Sequence, residues 1–413
     1  MTQKVKNIPE LRFPEFVNEG EWKIEPLGSL SDEILEKTKG RKFKLMSITS
    51  GFGLVSQIEK FGREIAGDSY KNYYVIHKGD FAYNKSSTKL YGEGEIAMYG
   101  DNETGAVPNS IFTCFRFYQN KIYPLFAKYP FVNNLHGTWL KKFIAVGARA
   151  NGALQVNVKD LFSLPFPYPT IQEQQKIASC LSSLDEIITT HNQKLEILKE
   201  RKKGLMQNLF PQKGKKAPKY RFPEFENDGE WVENTLGGVA TFVNGRAYKQ
   251  EELLDSGKYR VLRVGNFFTN NNWYYSDLEL EEDKYCDFGD LLYAWSASFG
   301  PRIWKGEKVI YHYHIWKVIP TKRIDKDFLF ILLDNETERM KTQNANGFAL
   351  LHITKGTIEN WKCCIPENIE EQQKIASCLL ALDELITSQT EKIEQLKQHK
   401  KGLMQGLFPK MNN

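Results

Sequence analysis

Apolar residues recur along two segments of the chain in alternating steps of four and three, which is the repeat of a coiled-coil seam. His191 and Lys202 interrupt the first segment, and Gln389 and Lys400 interrupt the second at equivalent positions. Prolines flank both segments, where they are expected to bound helices. The pattern predicts two helices of about 38 residues, roughly 57 Å each at 1.5 Å per residue. The seam positions are Ile177, Leu181, Leu184, Ile188, Leu195, Leu198, Leu205 and Leu209 in the first helix, and Ile375, Leu379, Leu382, Ile386, Ile393, Leu396, Leu403 and Leu407 in the second.

Each predicted helix alone leaves a face of leucine and isoleucine side chains in water and therefore needs a partner. Because the two registers match, we expect an antiparallel two-helix coiled coil within the chain, with a lobe at either end related by a pseudo-twofold axis. Pairing between two copies of the chain is the alternative. A polar residue in such a seam usually sets the register, so we interpret His191 as structural.

The chain contains an internal duplication. Two segments near the start of the chain recur 209 residues later, and two segments in the first predicted helix recur 198 residues later. The second interior is therefore 11 residues shorter than the first. Similar ends around different interiors indicate one scaffold that carries two variable modules. The matching segments are Arg12–Phe16 with Arg221–Phe225, Gly20–Trp22 with Gly229–Trp231, Glu173–Leu181 with Glu371–Leu379, and Lys202–Gln207 with Lys400–Gln405.

Both interiors have the pattern of mixed α/β structure. Tyr73–Ile76 and Tyr259–Leu262 have the composition of strands, and a Gly-Asp turn followed by an aromatic, hydroxyl-rich strand recurs in each interior. We predict a closing helix at about 125–143 and at about 326–344, each followed by a Gly/Asn loop. The predicted domains are a first lobe (1–168), a central helix (169–210), a second lobe with a basic linker (211–366) and a C-terminal helix (367–413).

Loops rich in Ser, Asn, Lys, Arg and aromatic residues, carried on a rigid sheet, suit contact with base edges and phosphates. Arginine or lysine can donate to guanine, and asparagine can pair with adenine. For each position taken singly, an exposed loop side chain is the alternative interpretation. The candidate DNA-binding residues are Lys85, Ser86, Arg149, Asn151, Arg263, Asn266, Ser296, Arg302 and Asn346.

Charge and composition narrow the class of protein only a little. The net charge of +5 permits a nucleic-acid partner, and the run from Lys199 to Lys219 holds eight basic residues and one acidic residue. Such a run is also common on a solvated surface. Six scattered cysteines without a C-x-x-C pair, a polar N-terminus and the lack of a long apolar run predict a cytoplasmic protein.

The sequence lacks the usual signatures of catalysis. Neither a phosphate-binding G-x-x-x-x-G-K-[ST] loop nor the Asn/Asp-Pro-Pro-aromatic tetrapeptide of amino-methylating DNA enzymes is present. His312 and His314 fall on one face of an expected strand but have no third metal ligand nearby in the sequence. Cys363 and Cys364 have no visible activating partner. We therefore predict no catalytic, cofactor-binding or metal-binding residue in this chain.

These features resemble the specificity subunits of type I DNA restriction–modification systems. The resemblance rests on the Arg-Phe-Pro-Glu-Phe entries, the Glu-Gln-Gln-Lys-Ile-Ala helix starts, the Lys-Lys-Gly-Leu-Met-Gln helix ends and the order module, helix, module, helix. It implies that each lobe reads one half of a split, asymmetric DNA site and that the helices set the spacer. The second loop lacks a counterpart of Arg149, so we expect the two half-sites to differ.

The resemblance also implies partners. Two modification subunits would bind S-adenosylmethionine, methylate adenine and dock on the helices and entry segments, whereas restriction subunits would use ATP and Mg²⁺ to cut unmodified DNA. Two other classes of protein stay open at this point. A stand-alone methyltransferase or nuclease would bind its cofactor by itself, and a coiled-coil scaffold would bind no duplex, whereas phosphate contacts make DNA binding strongly dependent on salt.

Overall fold

The structure is a computed structural model that describes residues 7–144, 154–268, 271–296, 298–343 and 353–410. The chain divides into two compact units. Unit 1 comprises Met1–Asn192 and Lys392–Asn413, and unit 2 comprises Gln193–Glu391. Each unit therefore holds one lobe together with a part of each long helix.

The described residues of unit 1 form ten strands, four short helices and the beginning of the first long helix. Its 3-10 turns are Pro14–Phe16, Leu27–Ser29 and Asp68–Asn72. The strands are β1 (Lys23–Pro26), β2 (Ser31–Glu33), β3 (Lys44–Thr49), β4 (Gly53–Ser56), β5 (Tyr74–Ile76), β6 (Phe81–Asn84), β7 (Glu95–Met98), β8 (Gly105–Val107), β9 (Phe112–Phe117) and β10 (Pro165–Tyr168). The helices are α1 (Gln57–Phe61), α2 (Pro124–Val132), α3 (Leu135–Leu140), α4 (Val158–Phe162) and the long helix α5 (Ile171–Leu209).

Unit 2 repeats this plan with a different set of short elements. Its 3-10 turns are Pro223–Phe225, Gln250–Glu252 and Glu282–Lys284. The strands are β11 (Val232–Thr235), β12 (Ala240–Asn244), β13 (Tyr259–Leu262), β14 (Tyr274–Ser276), β15 (Tyr285–Cys286), β16 (Leu291–Ser296), β17 (Ser298–Ile303), β18 (Val309–Tyr311), β19 (Ile315–Pro320) and β20 (Lys362–Ile365). The helices are α6 (Leu236–Val239), α7 (Val264–Phe268), α8 (Lys326–Gln343), α9 (Lys355–Glu359) and the long helix α10 (Ile369–Leu407).

The two lobes have the same sheet topology. The first lobe has sheets in the order β2-β9-β6-β7 and β4-β3-β8-β5, and the second lobe has β12-β19-β16-β17 and β14-β13-β18-β15. In both lobes the first sheet is antiparallel, and the second contains one parallel pair, β3 with β8 or β13 with β18. An antiparallel ribbon, β1-β10 or β11-β20, joins the beginning of each lobe to its end. The predicted pair of similar, mixed α/β lobes is confirmed.

The first sheet of each lobe is covered on both faces, which explains its nearly continuous apolar sequence. In β16, Leu291 and Tyr293 belong to the core that contains α8, whereas Leu292 and Ala294 belong to a second core on the opposite face. That second core also contains Phe267 of α7. The sheet therefore separates α8 from α7.

The long helices pair in opposite directions within each unit. In unit 1, Ile177 and Leu181 of α5 share a core with Met404 and Leu407 of α10. In unit 2, Leu209 of α5 shares a core with residues at the start of α10. The predicted antiparallel coiled coil is confirmed. Of the seam residues, Ile177, Leu181, Leu195, Leu209, Ile375, Leu379, Leu382, Ile393 and Leu407 are buried, and Leu184, Ile188, Leu198, Leu205, Ile386, Leu396 and Leu403 are half-buried.

The two lysines that interrupt the heptads form equivalent ion pairs. In unit 2 the Nζ of Lys202 lies 2.7 Å from Oδ1 of Asp383, and in unit 1 Lys400 pairs with Asp185. Burial alone would raise the pKa of Asp185, but Lys400 and Lys128 outweigh burial and hold that pKa below its usual value. These lysines therefore have partners inside the helix pair.

The repeated entry motif and the repeated helix start are two sides of one buried clamp. Arg12 donates to both carboxylate oxygens of Glu173 at 2.8 and 2.7 Å, and the indole of Trp22 donates to the same carboxylate at 3.4 Å. Arg221 donates to Glu371 at 2.7 Å twice, and the indole of Trp231 lies 3.3 Å from that glutamate. Each clamp fixes an entry segment to the start of a long helix.

The glutamine that follows each clamp glutamate ties the helix to the lobe. The amide of Gln174 accepts a hydrogen bond from the backbone N–H of Tyr123 at 2.8 Å and donates to the carbonyls of Lys121 and Pro169. Gln372 makes the equivalent bonds in unit 2. Because both glutamines are fully buried, the orientation of each lobe on its helix start is fixed by satisfied polar contacts.

Two predicted elements are wrong in detail. The helix expected at about 125–143 is broken into α2 and α3, because Asn134 adopts a left-handed conformation with φ of 59°. His312 and His314 lie in the turn between β18 and β19, where the backbone N–H of Ile315 donates to the carbonyl of His312 at 2.9 Å. Because the chain turns here, the two histidines do not lie on one face of a strand, as the sequence suggested.

Candidate nucleic-acid interface

Three candidate residues of the second lobe lie around the short helix α7. Arg263 comes just before the helix, and its carbonyl accepts a hydrogen bond from the N–H of Phe267 at 2.9 Å. Asn266 lies within the helix. Arg302 comes from the edge strand β17, and its guanidinium carbon lies 5.0 Å from the ring centre of Phe268. The fold thus brings together residues that are far apart in the sequence.

Aromatic rings hold the arginines of this cluster in place. The guanidinium carbon of Arg263 lies 4.2 Å from the ring centre of Tyr274, and its Nε is buried without a hydrogen-bond partner among the described residues. Arg302 is exposed at the edge of the sheet. A guanidinium that is positioned by stacking loses little conformational entropy when it donates to a base edge or a phosphate. The amide of Asn266 donates to the carbonyl of Asn272 at 2.7 Å.

Sequence reasoning missed two members of this surface, Arg260 and Trp273. The guanidinium of Arg260 lies 5.6 Å from the Trp273 ring centre and pairs with Glu307 at 3.2 Å. Trp273 also makes an edge contact with Trp304. The many aromatic residues in this part of the sequence were the available signal. Arg260 and Trp273 come close only because β13 pairs with β14, and the sequence alone did not predict that pairing.

The other candidates lie where the last loop of each lobe returns to the first sheet. The N–H of Leu154 donates to the carbonyl of Lys85 at 2.8 Å, and the N–H of Ile353 donates to the carbonyl of Trp295 at 3.1 Å. Lys85 and Trp295 are equivalent positions, at the ends of β6 and β16. Ser86 is half-buried beside Lys85, and Ser296 is buried beside Trp295. Arg149, Asn151 and Asn346 lie outside the described residues.

The first lobe carries a ten-residue loop, 85–94, where the second lobe has a single residue between β16 and β17. Tyr83 donates its hydroxyl to the carbonyl of Glu93 at 2.8 Å, and the hydroxyl oxygens of Ser50 and Thr88 lie 3.0 Å apart. Gly94 has φ of 88°, and a Cβ there would lie 2.5 Å from the carbonyl oxygen of Asn84. The same scaffold therefore presents a different surface in each lobe.

The buried side chain of His136 supports this loop. Nε2 of His136 donates to the carbonyl of Gly94 at 2.9 Å, and its Nδ1 has no partner among the described residues. Burial lowers the pKa of His136 to about 4, so the ring is neutral at pH 7. We assign this histidine a structural role.

The described residues contain no group of three or more histidine, cysteine or acidic side chains arranged to hold a metal ion. Burial lowers the pKa of His312 to about 4, and repulsion from His314 adds to the effect. All six cysteines are free, and burial raises the pKa of Cys363 to about 12, so that thiol is protonated and unreactive. Among the described residues, no helix is long and apolar enough to cross a bilayer.

Two lobes of one sheet topology, each joined to paired long helices, define a duplicated, two-module class of protein. Residues 25–200 and 228–398 both match the type I restriction modification DNA specificity domain. The chain belongs to this family, and the resemblance noted from the sequence is confirmed.

Relatives agree with this assignment. The chain is 28% identical over 283 residues, 64% of its length, to the specificity subunit of the type I restriction enzyme MjaVIII from Methanocaldococcus jannaschii, and the match covers 66% of that relative, just under two thirds. It is 27% identical to the putative MjaX specificity subunit from the same organism, over 80% of this chain and 78% of that relative. Both relatives are named as specificity subunits, in agreement with the family that the two halves of the chain match.

The fold also matches solved structures. The crystal structure of the type I restriction-modification S subunit from M. genitalium aligns over 98% of this chain and 100% of that chain, with a TM-score of 0.59 and 17% identity. A structure from work on complex assembly and conformational transition of the type I R-M system aligns over 94% of this chain and 97% of that chain, with a TM-score of 0.53 and 16% identity. Both likenesses support the duplicated fold.

Proposed function

We propose that this chain gives a type I restriction–modification complex its DNA specificity, with each lobe reading one half of a bipartite, asymmetric site. The observation that carries the proposal is the shared sheet topology with different reading surfaces. The second lobe offers Arg263, Asn266 and Arg302 around α7, whereas the first lobe offers Lys85 and Ser86 at its longer loop. Different surfaces on one scaffold predict two different half-sites.

The paired helices set the number of unread base pairs between the half-sites. Each helix has 39 residues, about 58 Å at 1.5 Å per residue. Two readers on one face of B-DNA need half-sites about one helical turn, or roughly 34 Å, apart. The clamps at Glu173 and Glu371 support this role, because they leave little freedom between a lobe and its helix start.

The proposed partners are double-stranded DNA, two modification subunits and restriction subunits, in the cytoplasm. S-adenosylmethionine belongs to the modification subunits, and ATP and Mg²⁺ belong to the restriction subunits, so this chain holds no cofactor. The helices and the repeated entry segments dock the modification subunits. The duplication supports two such subunits, since the entry segment occurs twice in the chain.

A genome-wide map of methylated adenine, in the host with and without this gene, tests the proposal. We expect one bipartite, asymmetric motif to lose its methylation when the gene is deleted and to regain it on complementation. A methylome that is identical in the two strains, while the modification subunit is expressed, would contradict the proposal.

A further inference from the structure

Each unit contains a groove beside the end of a long helix. In unit 2 the groove has a volume of about 580 Å³, and its apolar floor includes Phe210, Pro211 and Trp361. In unit 1 a groove of about 960 Å³ is lined by Phe408, Pro409 and other residues. The Phe-Pro pairs occupy equivalent positions, 198 residues apart. The scaffold therefore forms this groove twice.

The same contacts build both floors. The ring centres of Phe210 and Trp231 lie 5.9 Å apart in unit 2, and those of Phe408 and Trp22 lie 5.9 Å apart in unit 1. A backbone hydrogen bond then joins each entry segment to the helix end, from Tyr220 to Asn208 at 2.9 Å and from Leu11 to Gly406 at 2.8 Å. Both grooves are fixed parts of the scaffold.

Exposed lysines line one side of each groove. In unit 2 these include Lys213 and Lys215, which come from the basic run noted in the sequence, and neither forms an ion pair with another described residue. The two carboxylates of this groove are already engaged: Glu233 lies 2.8 Å from Lys362, and Glu336 lies 2.6 Å from Arg339. The uncompensated charge is therefore positive.

The groove of unit 1 has the same character. Lys141 and Lys142 are exposed, line the groove and form no ion pair within the described part of the chain. The Nζ of Lys142 lies over the ring of Trp139, which is also in the groove. Basic side chains beside an aromatic floor recur although the interiors of the two lobes differ.

The shape and position of the groove in unit 2 favour a protein segment over a DNA duplex. It is lined by Glu336 and Arg339 of α8, whereas Arg263, Asn266 and Arg302 surround α7 on the opposite face of the first sheet. A concave site with an apolar floor accepts a few protruding side chains. A duplex presents a broad convex surface of phosphates that cannot enter it.

We propose that each groove binds an acidic segment of one modification subunit, with apolar side chains on the floor and carboxylates on the lysines. This inference rests on the proposed function and deepens it, because it assigns one docking site per unit. Two equivalent grooves account for two copies of the partner on a single chain. Charge complementarity selects the partner, and the apolar floor supplies contact area.

The test reverses the charge of one groove at a time. Native mass spectrometry counts the modification subunits bound to the purified full-length chain, for wild type, for Lys213→Glu/Lys215→Glu and for Lys141→Glu/Lys142→Glu. We expect two subunits on the wild type, one on either double variant and none on the combination. The matched control is Lys249→Glu/Lys322→Glu, which makes the same change in charge at exposed lysines outside the groove.

Circular dichroism and thermal melting establish that each variant is folded, and alanine substitutions at the same lysines should give intermediate binding. Two bound subunits on both groove variants would overturn the inference, as would an equal loss in the control. If the variants keep both subunits but lose affinity for duplex DNA, the grooves bind DNA and the inference is wrong. A wild-type chain that binds no modification subunit would instead refute the proposed function itself.

Discussion

Glu173 and Glu371 each tie an entry segment to the start of a long helix through a buried ion pair. The Glu173 side chain is 1% exposed and pairs with an Arg12 side chain that is 7% exposed. Removing one partner of a buried pair leaves the other charge uncompensated and costs about 3–5 kcal/mol. We expect Glu173→Gln to destabilise unit 1 by an amount in this range and to leave unit 2 near its original stability.

Hydrogen exchange, read separately for peptides of each unit, measures this effect. Lys176→Ala is the control, because Lys176 joins the same entry segment to the same helix through an exposed pair with Glu15 at 3.0 Å. An exposed pair contributes less than about 1 kcal/mol. Equal losses from the two substitutions would contradict the account of the clamp.

His136 makes unit 1 sensitive to acid. Its pKa falls from 6.5 to about 4 on folding, so between these values the unfolded chain binds a proton that the folded chain excludes. The free energy of unfolding therefore decreases as the pH falls through this window, by about 3 kcal/mol for this one group. We expect His136→Gln to be less stable at pH 7 and to lose this part of the pH dependence.

Urea unfolding of both proteins at a series of pH values provides the measurement. His399→Gln, at an exposed histidine, is the matched substitution with which His136→Gln is compared. A pH dependence that is the same in His136→Gln and in wild type would show that the buried ring does not titrate as described.

Among the described candidate readers of the second lobe, Arg302 is the most exposed. If it donates to a base, Arg302→Ala should weaken binding by about 1–3 kcal/mol and relax the sequence requirement at one position of one half-site. The methylated motif reports this directly. Arg323→Ala, an exposed arginine of the same lobe away from α7, should leave the motif unchanged. A motif that keeps all its positions in Arg302→Ala would remove this residue from the reading surface.

At the scale of elements, the long helices are the proposed ruler. One heptad inserted after Asn192 and another after the equivalent Thr390 lengthen both helices by about 10 Å and keep the seam in register. We expect the spacer of the methylated motif to grow by about three base pairs, at 3.4 Å each, while both half-sites stay the same. A heptad in one helix alone shifts the register and should abolish assembly. An unchanged spacer in the double insertion would refute the ruler.

Some elements of the fold could be predicted from the sequence, and others could not. The helices were predictable because an apolar seam repeats over many turns, and the duplication was predictable because it needs no structure. The break at Asn134 was not predicted, because asparagine can occupy either a helical or a left-handed conformation and its surroundings decide between the two. The partners of Arg12 and Glu173 could not be paired from sequence either, because 161 residues separate them. For the candidate residues that would contact bases and phosphates, residue type alone gave little guidance.

At the scale of the whole molecule, the proposed function makes this chain a scaffold with two exchangeable readers. The scaffold repeats its clamps, its helix pairing and its grooves, whereas the interiors differ in length and in loops. Such a division lets a new half-site arise by replacement of one interior, with no change in partner docking.

The most direct test of this claim replaces residues 25–165 with the corresponding interior of another family member and maps methylated adenine in a host that carries the hybrid. We predict that one half-site of the motif changes while the other half-site and the spacer stay as in wild type. A change in both half-sites, or in neither, would contradict the claim that each lobe reads its own half.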